Sequence, residues 1–270
     1  MRPFRRQKHL LELLLILAVA ALVLQVSYPY LKKWWWLPQP GRLGVFYLEE
    51  EFFTSDRPRC LAPGYVCYLP ATYDRNEDEV FPLVLFLHGS GERGSDPLSM
   101  RKLGNFLVSK AAEQQPAIVV VPRCRKDYGW VPKDIHDLLA HVQQMCRIDS
   151  DRVYLVGSSM GAYGAWTVAT AYPELFAAVV PISGGAILGD EETKGLVNLP
   201  IWAFHGAKDP AMPIERTTGL IESLRQLGGS PKLTVYPDER HDILFMVLRE
   251  AELWIWLFNQ SRQATAEPSK

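Results

Sequence analysis

Residues 154–161 read Tyr-Leu-Val-Gly-Ser-Ser-Met-Gly, and the fold of the chain turns on them. Val153 to Val156 form a short apolar run of strand type, Gly157-Ser158-Ser159-Met160-Gly161 interrupts it, and AYGAWTVATAY continues at once with helical composition. A serine on so sharp a strand-to-helix turn takes a strained backbone, and glycines two residues to either side let the strand and helix pack closely. Ser159 is thereby lifted clear of the sheet. The first amides of the following helix, Met160 among them, then aim at one point, where they would stabilise a negative oxygen. The five-letter spelling alone is weak evidence, because with glycine at about 7% of residues it arises by accident in roughly one chain of this length in ten. Its surroundings decide.

Working outward, the chain alternates two kinds of segment. Leu83 to Leu87, Ile118 to Val121, Val153 to Val156, Ala178 to Ile182, Ile201 to Phe204 and Leu233 to Tyr236 are short, nearly continuous apolar runs, the mark of strands covered on both faces. Gly44 to Glu49 and Tyr65 to Leu69 add two short strands before them. Between the runs lie helical patterns. Asp134 to Cys146 is the clearest, with Ile135, Leu138, Leu139, Val142 and Met145 along one stripe; Met160 to Tyr172, Glu215 to Leu227 and Ile243 to Phe258 are the others. This alternation predicts an α/β fold with a mostly parallel sheet of about eight strands, helices on both faces, and a ligand site at the carboxyl ends of the strands. Fewer than twenty residues separate the runs ending at Ile182 and starting at Ile201, so no cap domain is expected there.

A serine hydroxyl needs a base to take its proton and a carboxylate to hold that base in one tautomer. In folds of this class the order along the chain is serine, acid, histidine, each on a loop after a strand. HGAKDP after Phe204 offers Asp209, and PDERHDI after Tyr236 offers His241. Asp238 is the alternative acid, in which case Asp209 would cap a turn. HGSGERGSD, after Leu87, has the glycines that let backbone amides converge, and Ser90 N–H is the candidate second oxyanion donor beside Met160. His88, directly at a strand end, reads as a brace for that loop and not as the base. Glu92 and Arg93 are candidates for the rim of the pocket or for a solvated ion pair, and Trp130, Ile187 and Leu188 for the wall of the cleft or for plain core.

From about Tyr68 to Ile243 the chain resembles the α/β-hydrolase superfamily, nearest to its phospholipase/carboxylesterase and dienelactone-hydrolase-like group of esterases and peptidases. YLPATYD, FPLVLFLHGSGERGSD, IDSDRVYLVGSSMGAYGAW, YPELFAAVVPISGG, FHGAKDP and the histidine of ERHD carry the resemblance. It implies Ser159, Asp209 and His241 as a catalytic triad. Ala162 departs from the group, which usually has a second glycine after the elbow; its methyl should tighten helix–strand packing without removing a reacting group. The expected activity is hydrolysis of carboxylic esters, small or polymer-linked, through an acyl-enzyme, with no cofactor and no metal. Serine peptidase and acyltransferase chemistry on the same triad remain alternatives, as does a catalytically silent binding module.

The rest of the chain bounds these expectations. With 270 residues, 48% of them hydrophobic, and a net charge of −1, it can build one sizeable core and has no field to collect nucleic acid. Arg2, Arg5, Arg6 and Lys8 precede an apolar run from Leu10 to Val26, and Tyr28, Tyr30, Trp34, Trp35 and Trp36 with Lys32 and Lys33 follow it. That pattern predicts residues 1–37 as a transmembrane anchor (about 10–27) with an interfacial segment, N-terminus inside and the catalytic domain (38–260) outside the cytoplasm. A cleaved signal peptide is the competing reading. Residues 261–270 read as a disordered tail. Cys60 with Cys67 and Cys124 with Cys146 are the disulfide pairs suggested by order along the chain; four buried thiols are the alternative.

Overall fold

Leu83, Leu85 and Leu87 pack into one apolar cluster and Val84 and Phe86 into a second, all five buried. LVLFL therefore shows no polar alternation: each side of the sheet meets its own layer of helices. In the computed structural model, which describes residues 40–48, 59–96 and 100–262, this strand is β3 (Phe81–Leu87) of an eight-stranded sheet. The others are β1 (Leu43–Tyr47), β2 (Gly64–Tyr68), β4 (Ile118–Val121), β5 (Ile148–Ser158), β6 (Ala178–Ile182), β7 (Trp202–Gly206) and β8 (Lys232–Tyr236). The helices are α1 (Arg101–Ala112), α2 (Pro132–Met145), α3 (Met160–Ala171), α4 (Asp190–Gly195), α5 (Glu215–Gln226), α6 (Leu244–Val247) and α7 (Ala251–Phe258).

The strand order is β1-β2-β4-β3-β5-β6-β7-β8. The strands from β4 to β8 run parallel, while β1 and β2 extend the sheet antiparallel beyond β4. This is an α/β-hydrolase-like fold. β3 lies between β4 and β5, so the chain order reverses beside it, and loops leaving the carboxyl ends of β3 and β5 open onto the crevice where ligands settle in such sheets. One cluster joins the sheet to α2, α3 and α5, and the other joins it to α1 and α7.

Two helices escaped the sequence pattern and one was overextended. RKLGNFLVSKAA has Gly104 in its middle, which weakens a helical signal; a Cβ there would come within 3.0 Å of Leu43, so the glycine lets α1 close on β1. The continuous helix expected over 243–258 is two, α6 and α7. In the break the Leu248 carbonyl accepts from the Trp254 indole at 2.9 Å, and Glu250 is held by the Tyr236 hydroxyl.

The anchor expected at about 10–27 and the remainder of 1–37 lie outside the described residues. Among the described residues no helix is long and apolar enough to cross a membrane. Of the segment read as a disordered tail, Arg262 is tied by its amide to the Asp151 carbonyl (2.8 Å) and by its guanidinium to the Glu174 carbonyl (2.7 Å); 263–270 lie outside the described residues.

The cysteines are free and buried, and their neighbours are not those that order along the chain suggested. Cys60 neighbours Cys124, and Cys67 neighbours Cys146. Strand pairing overrides nearness in sequence: Leu61 bridges to Cys124, and β2 carries Cys67 across to β4.

Candidate active site

The elbow is built by contact. Ser159 has φ 56° and ψ −116°, a left-handed backbone rare for a residue with a side chain. A Cβ on Gly157 would stand 2.1 Å from the Gly161 carbonyl oxygen, and one on Gly161 would stand 1.9 Å from that of Leu87. Neither position accepts a methyl group, so strand, turn and helix close over bare backbone. Ser159 N–H donates to the Ile182 carbonyl at 2.9 Å, which pins the turn to β6. Ala162 is fully buried, and its methyl group lies against Gly184 in the loop after β6, where a Cβ would come within 2.9 Å of it.

Three loops bring the other groups to this turn. His241 Nε2 lies 2.8 Å from Ser159 Oγ, and its Nδ1 lies 2.7 Å from Asp209 Oδ2. The carboxylate accepts from Nδ1–H, which leaves Nε2 to accept from the serine hydroxyl. Asp209 Oδ1 also accepts from the amides of Ala211 (2.8 Å) and Met212 (2.9 Å), and its side chain is inaccessible to solvent. Burial works against its charge, but the hydrogen bonds from His241 and from these two amides outweigh it, and the carboxyl sits below its ordinary pKa. Asp238, the alternative acid, is exposed and pairs with Lys208 at 2.7 Å. The hydrogen-bonded chain is thus Asp209, His241, Ser159.

Sequence reasoning missed His205, whose buried ring lies behind the carboxylate. Its Nε2 is 3.2 Å from Asp209 Oδ2 and 2.9 Å from the Met212 carbonyl, while Nδ1 is 2.8 Å from the Thr217 hydroxyl. Two acceptors at Nε2 place the proton there, and Nδ1 accepts from Thr217. The only sequence signal was a histidine inside an otherwise apolar strand, WAFHG. Ser183 was missed as well. With φ 54°, it donates its hydroxyl to the His241 carbonyl at 2.7 Å and steadies that loop.

On the opposite side, the loop after β3 runs alongside the nucleophile. A Cβ on Gly89 would stand 3.5 Å from that of Ser159. Among the described residues neither the Ser90 nor the Met160 amide donates to a protein acceptor. His88 is locked: Nδ1–H donates to the Gly89 carbonyl (2.7 Å), Nε2 accepts from the Cys124 amide (3.1 Å), and burial lowers its pKa. Trp130 is 5% exposed and lies beneath this loop, not on an open wall. Its indole N–H donates to the His88 carbonyl at 3.0 Å, and its ring meets the His88 ring edge-on. Glu92 Oε2 is 4.0 Å from His88 Nδ1, and Arg93 reaches the carbonyls of Ser90 and Tyr128, so these two charges brace the loop from outside. Ile187 is 81% exposed and, with Leu188, lines a hollow of about 490 Å³ against α5.

Comparison with known proteins finds esterases that resemble this chain in sequence and fold. The chain is 27% identical over 155 residues to a bifunctional acetylxylan esterase/xylanase of Neocallimastix patriciarum (53% of this chain, 22% of that protein). It is 26% identical over 157 residues to the "Probable feruloyl esterase C" of Aspergillus terreus (56% of each chain). The chain therefore spans about a fifth and about half of these curated relatives. Among solved structures, a thermostable esterase superposes with a TM-score of 0.70 at 29% identity, over 82% of this chain and 63% of the other. A ferulic acid esterase superposes with a TM-score of 0.65 at 15% identity, over 82% of this chain and 99% of the other, a likeness of fold. The sequence model of one family matches residues 48–251, well over half of the chain. On that match the chain belongs to the dienelactone hydrolase family.

Proposed function

We propose that this protein is a serine hydrolase that cleaves carboxylic esters through Ser159, His241 and Asp209. The observation that carries the reading is the pair of short hydrogen bonds at His241, 2.8 Å to Ser159 Oγ and 2.7 Å to Asp209. His241 Nε2 takes the hydroxyl proton as Ser159 Oγ attacks the ester carbonyl, and Asp209 stabilises the imidazolium that forms. The amides of Met160 and Ser90 hold the tetrahedral oxyanion, a contribution of about 3 to 4 kcal/mol per donor in such sites. His241 then protonates the departing alcohol, and a water repeats the sequence on the acyl-Ser159 intermediate.

With only α4 and its short loops between β6 and β7, the site carries no large lid among the described residues, which suits an ester borne on a bulky or extended molecule. The polysaccharide-linked and feruloyl esters named for the relatives are the substrates to try first. Residues 10–27 are an anchor that holds the catalytic domain outside the cytoplasm; the basic residues before this run and the aromatic residues after it support that placement.

A fluorophosphonate probe and a panel of aryl and acetyl esters test the reading on the full chain. Labelling and turnover by wild type, both lost in Ser159→Ala and His241→Ala, are the expected result. A folded wild type that takes no label would instead be a binding module on a hydrolase scaffold. Turnover of peptides with no turnover of esters would favour a peptidase. Membrane fractionation with a mass measurement of the mature protein tests the anchor, which a missing N-terminal segment would overturn.

A further inference from the structure

The chain has four cysteines, and they meet two by two. Cys60 lies in the bend just before the point where Leu61 bridges to Cys124, with the Arg125 amide on the Cys60 carbonyl (2.7 Å) and the Ala62 amide on the Arg123 carbonyl (2.8 Å). This pairing sets Cys60 beside Cys124. Cys67, in β2 opposite Val120 of β4, is two residues on from Tyr65, whose ring meets His141 of α2 edge-on, and so lies beside Cys146 at the end of that helix. Both couples are buried in one apolar cluster. A lone core cysteine is a small hydrophobe and calls for no explanation. Four of them sorted into two neighbouring couples do, because a disulfide needs its two residues side by side.

We propose that the protein, folded under oxidising conditions, carries two disulfide bonds, Cys60–Cys124 and Cys67–Cys146. Of the three connectivities that four cysteines allow, this is the one that joins neighbours: Cys60 donates its amide to Asp134 in the first turn of α2, at the other end of that helix from Cys146, and Cys67 stands opposite Val120 of β4, four residues from Cys124. Each bond forms by exchange with a disulfide donor such as oxidised glutathione. One protein thiolate attacks the donor to give a mixed disulfide and releases one donor thiol, and the partner thiolate then displaces the second. Two protein S–H groups lose two protons and two electrons, and the donor leaves as two thiols. All four cysteines are buried, so a disulfide donor does not reach them once the chain has folded, and oxidation belongs to the folding step. The first bond would also clamp the loop after β3, since the Cys124 amide donates to His88 Nε2 (3.1 Å) and its carbonyl accepts from the Gly94 amide (2.9 Å).

The test uses no ester and stands apart from the hydrolase reading. Full-length chain is refolded from reductant and denaturant in a glutathione redox buffer, with a second sample kept reduced. Both are unfolded, alkylated without reductant and mapped by mass spectrometry. The expected result is no alkylated cysteine in the oxidised sample, peptides joining residue 60 to 124 and residue 67 to 146, and a thermal midpoint higher than that of the reduced protein by about 5 to 15 °C. The double substitution Cys60→Ser with Cys124→Ser should lose the first crosslink and keep the second; if it fails to fold, the wild-type map decides alone. Four alkylated thiols in refolded protein, crosslinks from Cys60 to Cys67 or Cys124 to Cys146, or an oxidised chain that does not regain the circular dichroism of the reduced one would each overturn the proposal.

Discussion

The nucleophile and its base reach the same crevice by different means. Ser159 is placed by close contact of bare backbone: Gly157 lets the turn close on Gly161, Gly161 lets it close on Leu87, and the strained turn at φ 56° projects the hydroxyl. Asp209 and His241 are placed by hydrogen bonds. His205 and the amides of residues 211 and 212 surround the carboxylate, and the Ser183 hydroxyl holds the His241 carbonyl. The first construction is steric and local in space, so it tolerates almost no change of shape. The second is a polar network whose members can be removed one at a time, each with a graded effect.

The largest effect should come from the network's central carboxylate. Asp209→Asn keeps the shape but no longer stabilises the tautomer of His241 that accepts the serine proton, and kcat should fall by about 10⁴ with KM little changed. Steady-state kinetics on an activated ester read this directly, and a loss below tenfold would show that the carboxylate is not the orienting group.

On the local side, Gly161→Ala drives a methyl group into the Leu87 carbonyl and should cost about 3 kcal/mol in a denaturant titration. Ala162→Gly, one residue on, should cost only about 1 kcal/mol. Equal costs at the two positions would end the distinction between a forbidden and a filled site.

His205→Phe tests how far the network extends. The ring volume stays, but the Met212 carbonyl and Thr217 hydroxyl lose their partner, so stability should drop by about 1 to 3 kcal/mol. With Asp209 less firmly held, kcat should fall roughly 10- to 100-fold while KM holds. A purely structural role would lower stability and leave kcat alone.

The smallest effect lies away from the site. On α2, Asp137 is penalised by burial but held by Lys133, Arg59 and His136, which together lower its carboxyl pKa to about 2. A group depressed in the folded state stabilises above its unfolded pKa of about 4 and loses that contribution as the pH falls through its folded value. Asp137→Asn should therefore be less stable than wild type by about 1 kcal/mol or less at neutral pH, with solvent screening limiting the pairs. The gap should close between roughly pH 4 and about 2, measured as thermal midpoints across that range.

Much of this molecule was legible in its sequence. The parallel strands β3 to β7 were visible because a strand buried on both faces is apolar at nearly every position, while β8, at the sheet edge with no buried residue, was visible from its strand-forming residues; the six runs from Leu83 to Tyr236 sit within a few residues of β3 to β8. Boundaries failed where a side-chain contact set them, as at the Leu248 carbonyl capped by Trp254. For Trp130 the sequence left cleft wall and plain core both open, because an aromatic on a loop has no periodicity to reveal its direction; packing against His88 puts it in the core.

By itself, the order of residues marked the elbow, because strand, turn and helix are contiguous there and the glycines stand two residues to either side of Ser159. It also marked Asp209 and His241 as loop residues after the right strands. Only the tertiary structure decided that Asp209 and not Asp238 meets the imidazole, and which cysteines are neighbours. Those outcomes depend on strand order and loop packing, which bring together groups tens of residues apart, and no spacing along the chain encodes the distance between two such groups.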